Sequence, residues 1–211
     1  MKKSLKIILI VVLAVILVAA LVCGGYFLTI KLQEKSALKA VDSMFTALKT
    51  GNEEEIKQYI NIEDLEGEET ESEEESSDSI IDDEEMTKAM MQNLNYEVVS
   101  TSTKINNCTV KLNVSNKDFK TVFQNYISQV FALAFSSAFG GMTEEEMDAK
   151  LEQYFIDQYN SESLSTATNE VTLSMRKEKG KWNIDYDKDQ LLNAIIPGYS
   201  EVMQSLEQKE D

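Results

Sequence analysis

An uninterrupted apolar run lies near the amino-terminal end of this chain. Three lysines precede a run from Ile7 to Cys23, and residues 24–30 prolong it as far as Lys31. As a helix this stretch measures about 36 Å, against a bilayer hydrocarbon core of about 30 Å. We therefore predict that residues 7–30 form a transmembrane signal-anchor helix whose partner is the lipid bilayer.

Two other interpretations of this segment stay open. A cleaved signal peptide has a shorter apolar core, of about 7–15 residues, and ends at a small-residue cleavage site. A bacterial lipoprotein signal would place Cys23 after a Leu-(Ala/Ser)-(Gly/Ala) triplet, whereas the chain has Ala20, Leu21 and Val22 there. Since the apolar run also continues past Cys23, its length favours the uncleaved anchor.

Basic residues flank the span on both sides and predict its orientation. They are Lys2, Lys3 and Lys6 before it and Lys31, Lys35 and Lys39 after it. The first flank is shorter and denser, so the positive-inside rule places the amino terminus inside the cell. Residues 1–6 are then a cytoplasmic tail, and the bulk of this single-pass cell-membrane protein is extracytoplasmic.

Composition removes several classes of function. The chain has no histidine, which excludes histidine triads and nearly all zinc and haem sites. Its two cysteines are far apart, so neither a redox dithiol nor a thiolate cluster is available. Arg176 is the single arginine, and nucleic-acid recognition usually relies on arginine. We predict no nucleic-acid partner, no cofactor and no catalytic residue.

One acidic pattern invites comparison with a calcium loop. Asn183, Asp185, Asp187 and Asp189 alternate as such ligands do, but Gln190 replaces the required glycine and the terminal bidentate glutamate is missing. We therefore predict no metal site and expect a solvated strand followed by a helix cap.

The negative charge of the chain is concentrated in one tract. The formal net charge is −17, and residues 61–85 hold fourteen acidic residues and no basic one. Like charges repel and there is little to bury, so we expect an acidic disordered insertion over residues 61–80.

Hydrophobic periodicity predicts an extracytoplasmic α+β domain over residues 31–196, followed by a polar C-terminal tail over 197–211. Helices are predicted over 34–49, 53–60, 82–94, 118–139, 143–160 and from about 189, and strands over 96–103, 108–115, 171–176 and 182–186. Gly51 suits the left-handed position after a helix, and Asn52 can cap the next one. Thr143 and Glu146 have the spacing of a capping box.

The stretch 118–139 is apolar on more than one face, which leaves three interpretations open. It is a core helix, the wall of an apolar pocket, or an oligomer interface. For the second of these, the candidate pocket residues are Tyr126, Phe131, Phe135 and Trp182.

Three segments carry a resemblance to a known family: 44–52, 109–119 and 171–184, the last ending in Gly-Lys-Trp-x-Ile. Together they resemble the NTF2-like (cystatin-like cone) domains of unknown function found in membrane proteins and lipoproteins of Gram-positive bacteria. The resemblance implies helices packed in the concavity of a curved antiparallel sheet. Some relatives are enzymes and others only bind, and no catalytic residue of the family matches a residue here.

These expectations converge on a function without an assigned activity. We expect a membrane-anchored, non-catalytic domain that binds an envelope protein or acts as a scaffold at the cell envelope. The alternatives are a cone that binds a small apolar ligand and, third, an acid-dependent hydrolase.

Overall fold

The first helix, α1, runs from Lys2 to Thr50 in a computed structural model that describes residues 2–60 and 84–207. The sequence predicts a spanning helix over 7–30 and a separate helix over 34–49, whereas the structure joins the two. The residues between them, Lys31, Leu32 and Gln33, favour helix and include neither glycine nor proline. The apolar segment and the domain therefore share one helix, with no linker between them.

The end of α1 follows the predicted local chemistry. Gly51 has a φ of 66°, and the Asn52 N–H donates to the Ala47 carbonyl at 3.2 Å. This is the Schellman arrangement, which satisfies the last carbonyls of a helix. The Asn52 side chain then accepts a hydrogen bond from the Glu55 N–H and caps the short α2, Glu53–Ile56.

An antiparallel sheet forms the centre of the described part of the chain. Its strands are β1 (Asn95–Lys104), β2 (Asn107–Lys117), β3 (Thr166–Glu178) and β4 (Lys181–Asp185), in the order β1-β2-β3-β4. All four predicted strands exist, and the first three extend beyond the predicted bounds. The mixed helix and antiparallel sheet class is therefore confirmed.

The remaining helices surround this sheet. They are α3 (Glu84–Gln92), α4 (Phe119–Ala138), α5 (Glu144–Asn160), α6 (Lys188–Ile195) and α7 (Tyr199–Glu207). The last of them lies within the predicted polar tail over 197–211. It packs against α4 and α6, and its Val202 side chain is only 4% exposed. The tail therefore contributes to the fold.

The core lies on one face of the sheet. Along β2, residues 108, 110, 112, 114 and 116 are buried, while all of those between them are partly or fully exposed. Helices α1 and α6 cover the buried face, and the opposite face meets solvent, as is common for antiparallel sheets.

Asn116 is a polar side chain within this core. It is 1% exposed, and its Nδ2 donates to the carbonyl oxygens of Met90, at 2.9 Å, and Ile195, at 2.8 Å. One amide thereby joins the end of β2 to helices α3 and α6.

The predicted acidic insertion, residues 61–80, lies outside the described residues.

Candidate functional site

Most of the apolar side chains that the structure describes over residues 17–32 of α1 are exposed. Seven large ones are more than half exposed: Leu17, Val18, Leu21, Tyr26, Phe27, Leu28 and Leu32. Among the residues that the structure describes, one helix is long and apolar enough to cross a membrane, and it is this one. The apolar N-terminal helix is thus compatible with membrane association.

A few residues later the same helix enters the core. Ala37 and Val41 are fully buried, and the Phe45 ring stacks on Tyr96 of β1 with centroids 4.4 Å apart. The indole Nε1 of Trp182 donates to the Ser36 Oγ at 3.0 Å, which ties β4 to α1. The helix therefore passes from an exposed apolar surface to the domain core within about two turns.

Helix α4 divides into two halves with different environments. In its first half, Phe119 and Val122 are 7% and 0% exposed, and the Tyr126 ring makes an edge contact with Phe155 of α5 at 5.8 Å. In its second half, beyond Ile127, the helix has no buried residue among those described. It therefore leaves the core and presents an apolar surface to solvent.

That exposed surface contains a row of aromatic residues. Phe131, Phe135 and Phe139 recur every fourth residue and are 71%, 70% and 77% exposed. The Phe135 and Phe139 rings contact each other, with centroids 4.8 Å apart. We call these three residues the aromatic ridge.

A row of small residues lies beside the aromatic ridge. Ser128, Ala132 and Ser136 recur every fourth residue of α4, Ala132 and Ser136 each follow a ridge residue directly, and all three are exposed. Rows spaced by four residues on a helix form alternating ridges and grooves. The exposed half of α4 thus presents a ridge of large side chains next to a groove of small ones, which we call the small-residue groove.

The connection to α5 holds this surface in place. The Thr143 side chain accepts from the Glu146 N–H, and the Glu146 carboxylate accepts from the Thr143 N–H, which is the predicted capping box. The Ser137 hydroxyl donates to the Met142 carbonyl at 3.0 Å across the turn. These bonds order the turn next to Phe139, so the ridge belongs to a defined helical hairpin.

The structure distributes the four predicted pocket residues over different environments. Tyr126 is half-buried against α5, and Trp182 is 7% exposed and bonded to α1. Phe131 and Phe135 project into solvent, which does not suit the wall of an enclosed cavity. Two of the four residues therefore contribute to one surface, the aromatic ridge, and two stabilise the fold.

Cys108 and Asp187, two residues with potentially reactive side chains, have structural roles in this fold. Burial raises the pKa of the Cys108 thiol, whose sulfur lies 3.2 Å from the Thr103 hydroxyl. A raised pKa keeps the thiol protonated and weakly nucleophilic. The Asp187 carboxylate caps α6 by accepting from the Gln190 N–H at 2.8 Å. Within the described ranges, no group of three acidic or cysteine side chains has the geometry of a metal site.

Comparison with known proteins identifies no family for this chain. No protein-family model matches the chain, and no curated protein matches it. A crystal structure of a candidate lipoprotein, ycdA of Bacillus subtilis, matches with 19% identity and a TM-score of 0.35, over 53% of this chain and 35% of that one. The match therefore spans about a third of the length of that protein. A TM-score this low does not establish a shared fold, and the NTF2-like cone is not confirmed.

Proposed function

We propose that this chain is a membrane-anchored, non-catalytic binding domain of the cell envelope, with its outer part beyond the cytoplasmic membrane. The observation that carries the proposal is the continuity of α1. Its described apolar side chains are exposed through Leu28, and the same helix is buried in the domain from Ala37 onward. Lipid supplies the cover that the protein does not.

The size of the hydrophobic term supports lipid contact. Burying a large apolar side chain gains about 1.5–3 kcal/mol, so seven of them that are more than half exposed represent on the order of 10 kcal/mol. A helix in water would leave this free energy unrealised. In a bilayer the helix satisfies its own backbone groups and places these side chains among lipid tails.

The aromatic ridge is the binding surface in this proposal. From Thr121 to Thr143 the chain carries no charged residue, although most of the second half of α4 is exposed. An exposed, uncharged, aromatic surface is typical of a protein-protein contact. Among the described residues it is also the surface that gathers the most exposed aromatic side chains.

The partner that this surface fits is a second copy of the chain. The aromatic ridge of one α4 can enter the small-residue groove of another, and the reverse contact forms at the same time. Helices that interlock rows spaced by four residues cross at about −50°, the commonest packing class. A two-fold axis along the membrane normal would keep both anchors in the same bilayer.

The contact area sets the strength of this association. A phenylalanine buries about 150–250 Å², so three that are 70–77% exposed offer roughly 400 Å² per copy. A stable interface between soluble proteins takes about 800 Å² per partner. We therefore expect a weak contact that depends on the bilayer to concentrate and orient the copies.

Cross-linking of the full chain in vesicles tests the proposal. In a chain with both cysteines replaced by alanine, Ser136→Cys should cross-link to its counterpart through a short bis-maleimide. Gln124→Cys, an exposed position in the first half of the same helix, is the matched control and should not. Adding Phe135→Ser should abolish the Ser136 cross-link, whereas Leu206→Ser, at an exposed leucine outside the ridge, should leave it unchanged.

Two results would contradict the proposal separately. If the chain does not float with vesicles in a density gradient, the membrane anchor is wrong. If it floats but Ser136→Cys cross-links no better than Gln124→Cys, the ridge is not the contact.

The NTF2-like cone remains part of the proposal. What supports it is the antiparallel sheet, with α1 and α6 covering a single face. An experimental structure with an uncurved sheet would contradict it.

A further inference from the structure

The turns of both hairpins lie at the end of the sheet where α1 emerges from the domain. The Asn106 N–H in the β1–β2 turn donates to the Gln33 Oε1 of α1 at 2.7 Å. The Lys177 N–H, next to the β3–β4 turn, donates to the Asn106 carbonyl at 2.8 Å. Gln33 follows Ile30, the last apolar residue of the span, by about 4.5 Å along the helix axis. Both turns therefore lie close to the level at which the apolar segment ends.

The direction of the strands confirms which end this is. Strand β1 runs along α1, and the hydroxyl of Tyr96 at its start donates to Asp42 at 2.9 Å. Asp42 is about 14 Å farther along the helix than Gln33. The sheet thus extends away from the apolar segment, with its hairpin turns nearest to it.

This membrane-proximal end gathers basic residues in an otherwise acidic chain. We define the basic collar as Lys31, Lys104, Arg176, Lys177, Lys179 and Lys181. The side chains of Lys31 and Arg176 are 59% and 72% exposed. Positive charge therefore projects from α1 and from both hairpins, although the formal net charge of the chain is −17.

Two carboxylates accompany the basic collar and neutralise part of it. The Glu34 carboxylate accepts a hydrogen bond from the Thr101 hydroxyl and pairs with Lys31 at 2.9 Å, and these two contacts hold the pKa of this carboxyl below its usual value. Glu178 lies 3.7 Å from Arg176. Six basic side chains against these two acids leave an excess of positive charge on this end.

We propose that the basic collar docks on anionic phosphate headgroups of the bilayer that holds α1, and so fixes the domain against the membrane surface. The proposal rests on the proposed membrane anchor. Lysine and arginine close to an anionic surface are attracted within about one Debye length, roughly 8 Å at physiological salt. The collar meets this condition because Lys31 directly follows the span and both hairpin turns lie near the level of Gln33. Ile105, at the tip of the β1–β2 turn and 51% exposed, suits the interfacial region beside it.

A depth measurement on the full chain in vesicles tests this docking. A fluorophore is attached to Ile105→Cys in a chain with both native cysteines replaced by alanine. Quenching by spin-labelled headgroups is measured in phosphatidylcholine vesicles with and without phosphatidylglycerol. We expect stronger quenching in the anionic vesicles, and we expect about 1 M salt to remove the difference because the Debye length falls to about 3 Å.

Two charge-reversal variants separate the effect of the basic collar from the effect of the net charge of the chain. The collar variant carries Lys104→Glu, Lys179→Glu and Lys181→Glu. The control variant carries Lys49→Glu, Lys88→Glu and Lys150→Glu, which change the net charge equally at exposed positions on other parts of the domain. The collar variant should lose the extra quenching in anionic vesicles, whereas the control should retain it. All six positions are exposed, so both variants should fold.

The outcomes distinguish failure of the collar from failure of the anchor. A chain that does not float with neutral vesicles refutes the anchor on which the proposal depends. A chain that floats with both kinds of vesicle but is quenched equally in both refutes the collar. The collar is also refuted if both charge variants behave alike, or if soluble polyphosphate, rather than anionic lipid, changes the signal in a collar-dependent way.

Discussion

Replacing Asn116 tests how the sheet is joined to helices α3 and α6. This amide is 1% exposed and donates to the carbonyl oxygens of Met90 and Ile195. Asn116→Ala leaves both carbonyls without that donor inside the core. A buried polar group that loses its partner costs about 1–3 kcal/mol, so we expect a loss of about 2–5 kcal/mol in the free energy of unfolding.

Asn116→Asp has nearly the same shape and reverses the polarity of the contact. At neutral pH it would aim an anion at two carbonyl oxygens, so burial and repulsion should raise its pKa in the folded state. The destabilisation should therefore grow as pH rises above the unfolded-state pKa of about 3.9 and shrink as pH falls, when the protonated carboxyl can donate.

Urea unfolding of the full chain in mild detergent provides the assay. Trp182 is the single tryptophan, is 7% exposed and is bonded to Ser36, so its fluorescence reports separation of the sheet from α1. Asn113→Ala, a half-exposed asparagine of the same strand, is the control and should change stability by less than about 0.5 kcal/mol. If Asn116→Ala is no more destabilising than this control, the proposed role of the amide is refuted.

Two further predictions use the same assay. Gly140 and Gly198 both have positive φ, but a Cβ on Gly198 would lie 2.8 Å from the Lys120 Cβ, whereas one on Gly140 would meet nothing within 4 Å. Gly140→Ala should therefore cost only backbone strain, about 1–2 kcal/mol, and Gly198→Ala about 1–3 kcal/mol more; equal losses would contradict this. Burial and Asp42 raise the pKa of Tyr96 from 10 to about 12, so its neutral form is favoured in the fold. Its contribution to stability should be complete below pH 10 and disappear as pH rises through about 12. Tyr96→Phe should flatten that alkaline fall, and parallel curves would contradict the assignment.

Features fixed by neighbouring residues were predictable from the sequence. The left-handed Gly51 and the Thr143 capping box depend on side chains within a few positions of one another, and both are confirmed. The alternation in β2 likewise reports which face of the strand is buried. Such patterns depend on residues close together in sequence, so they can be recognised without knowing which distant residues pack against the element.

Features that depend on distant contacts were not predictable. Asn116 continues the buried alternation of β2, but nothing near it in sequence indicates that Met90 and Ile195 will accept its hydrogen bonds. Trp182 and Phe131 are both large and apolar, yet one packs against α1 and the other is 71% exposed. Their exposures differ because Trp182 packs against α1, whereas Phe131 lies in the exposed second half of α4.

One signal for the aromatic ridge was present in the sequence. Phe131, Phe135 and Phe139 recur every fourth residue within a stretch that has no charged residue. A buried helix and an exposed contact surface share this pattern, so periodicity alone cannot separate them. The structure separates them because no described residue in the second half of α4 is buried, and the three phenylalanines are at least 70% exposed.

Labelling of whole cells that produce the full chain tests whether α1 holds the domain outside the cytoplasmic membrane. A membrane-impermeant maleimide is applied to cells carrying Gln124→Cys in a chain with no other cysteine. We predict labelling of intact cells, on a chain that stays in the membrane fraction after an alkaline wash. Labelling only after lysis would contradict the extracytoplasmic placement, and recovery of the chain in the soluble fraction would contradict the anchor.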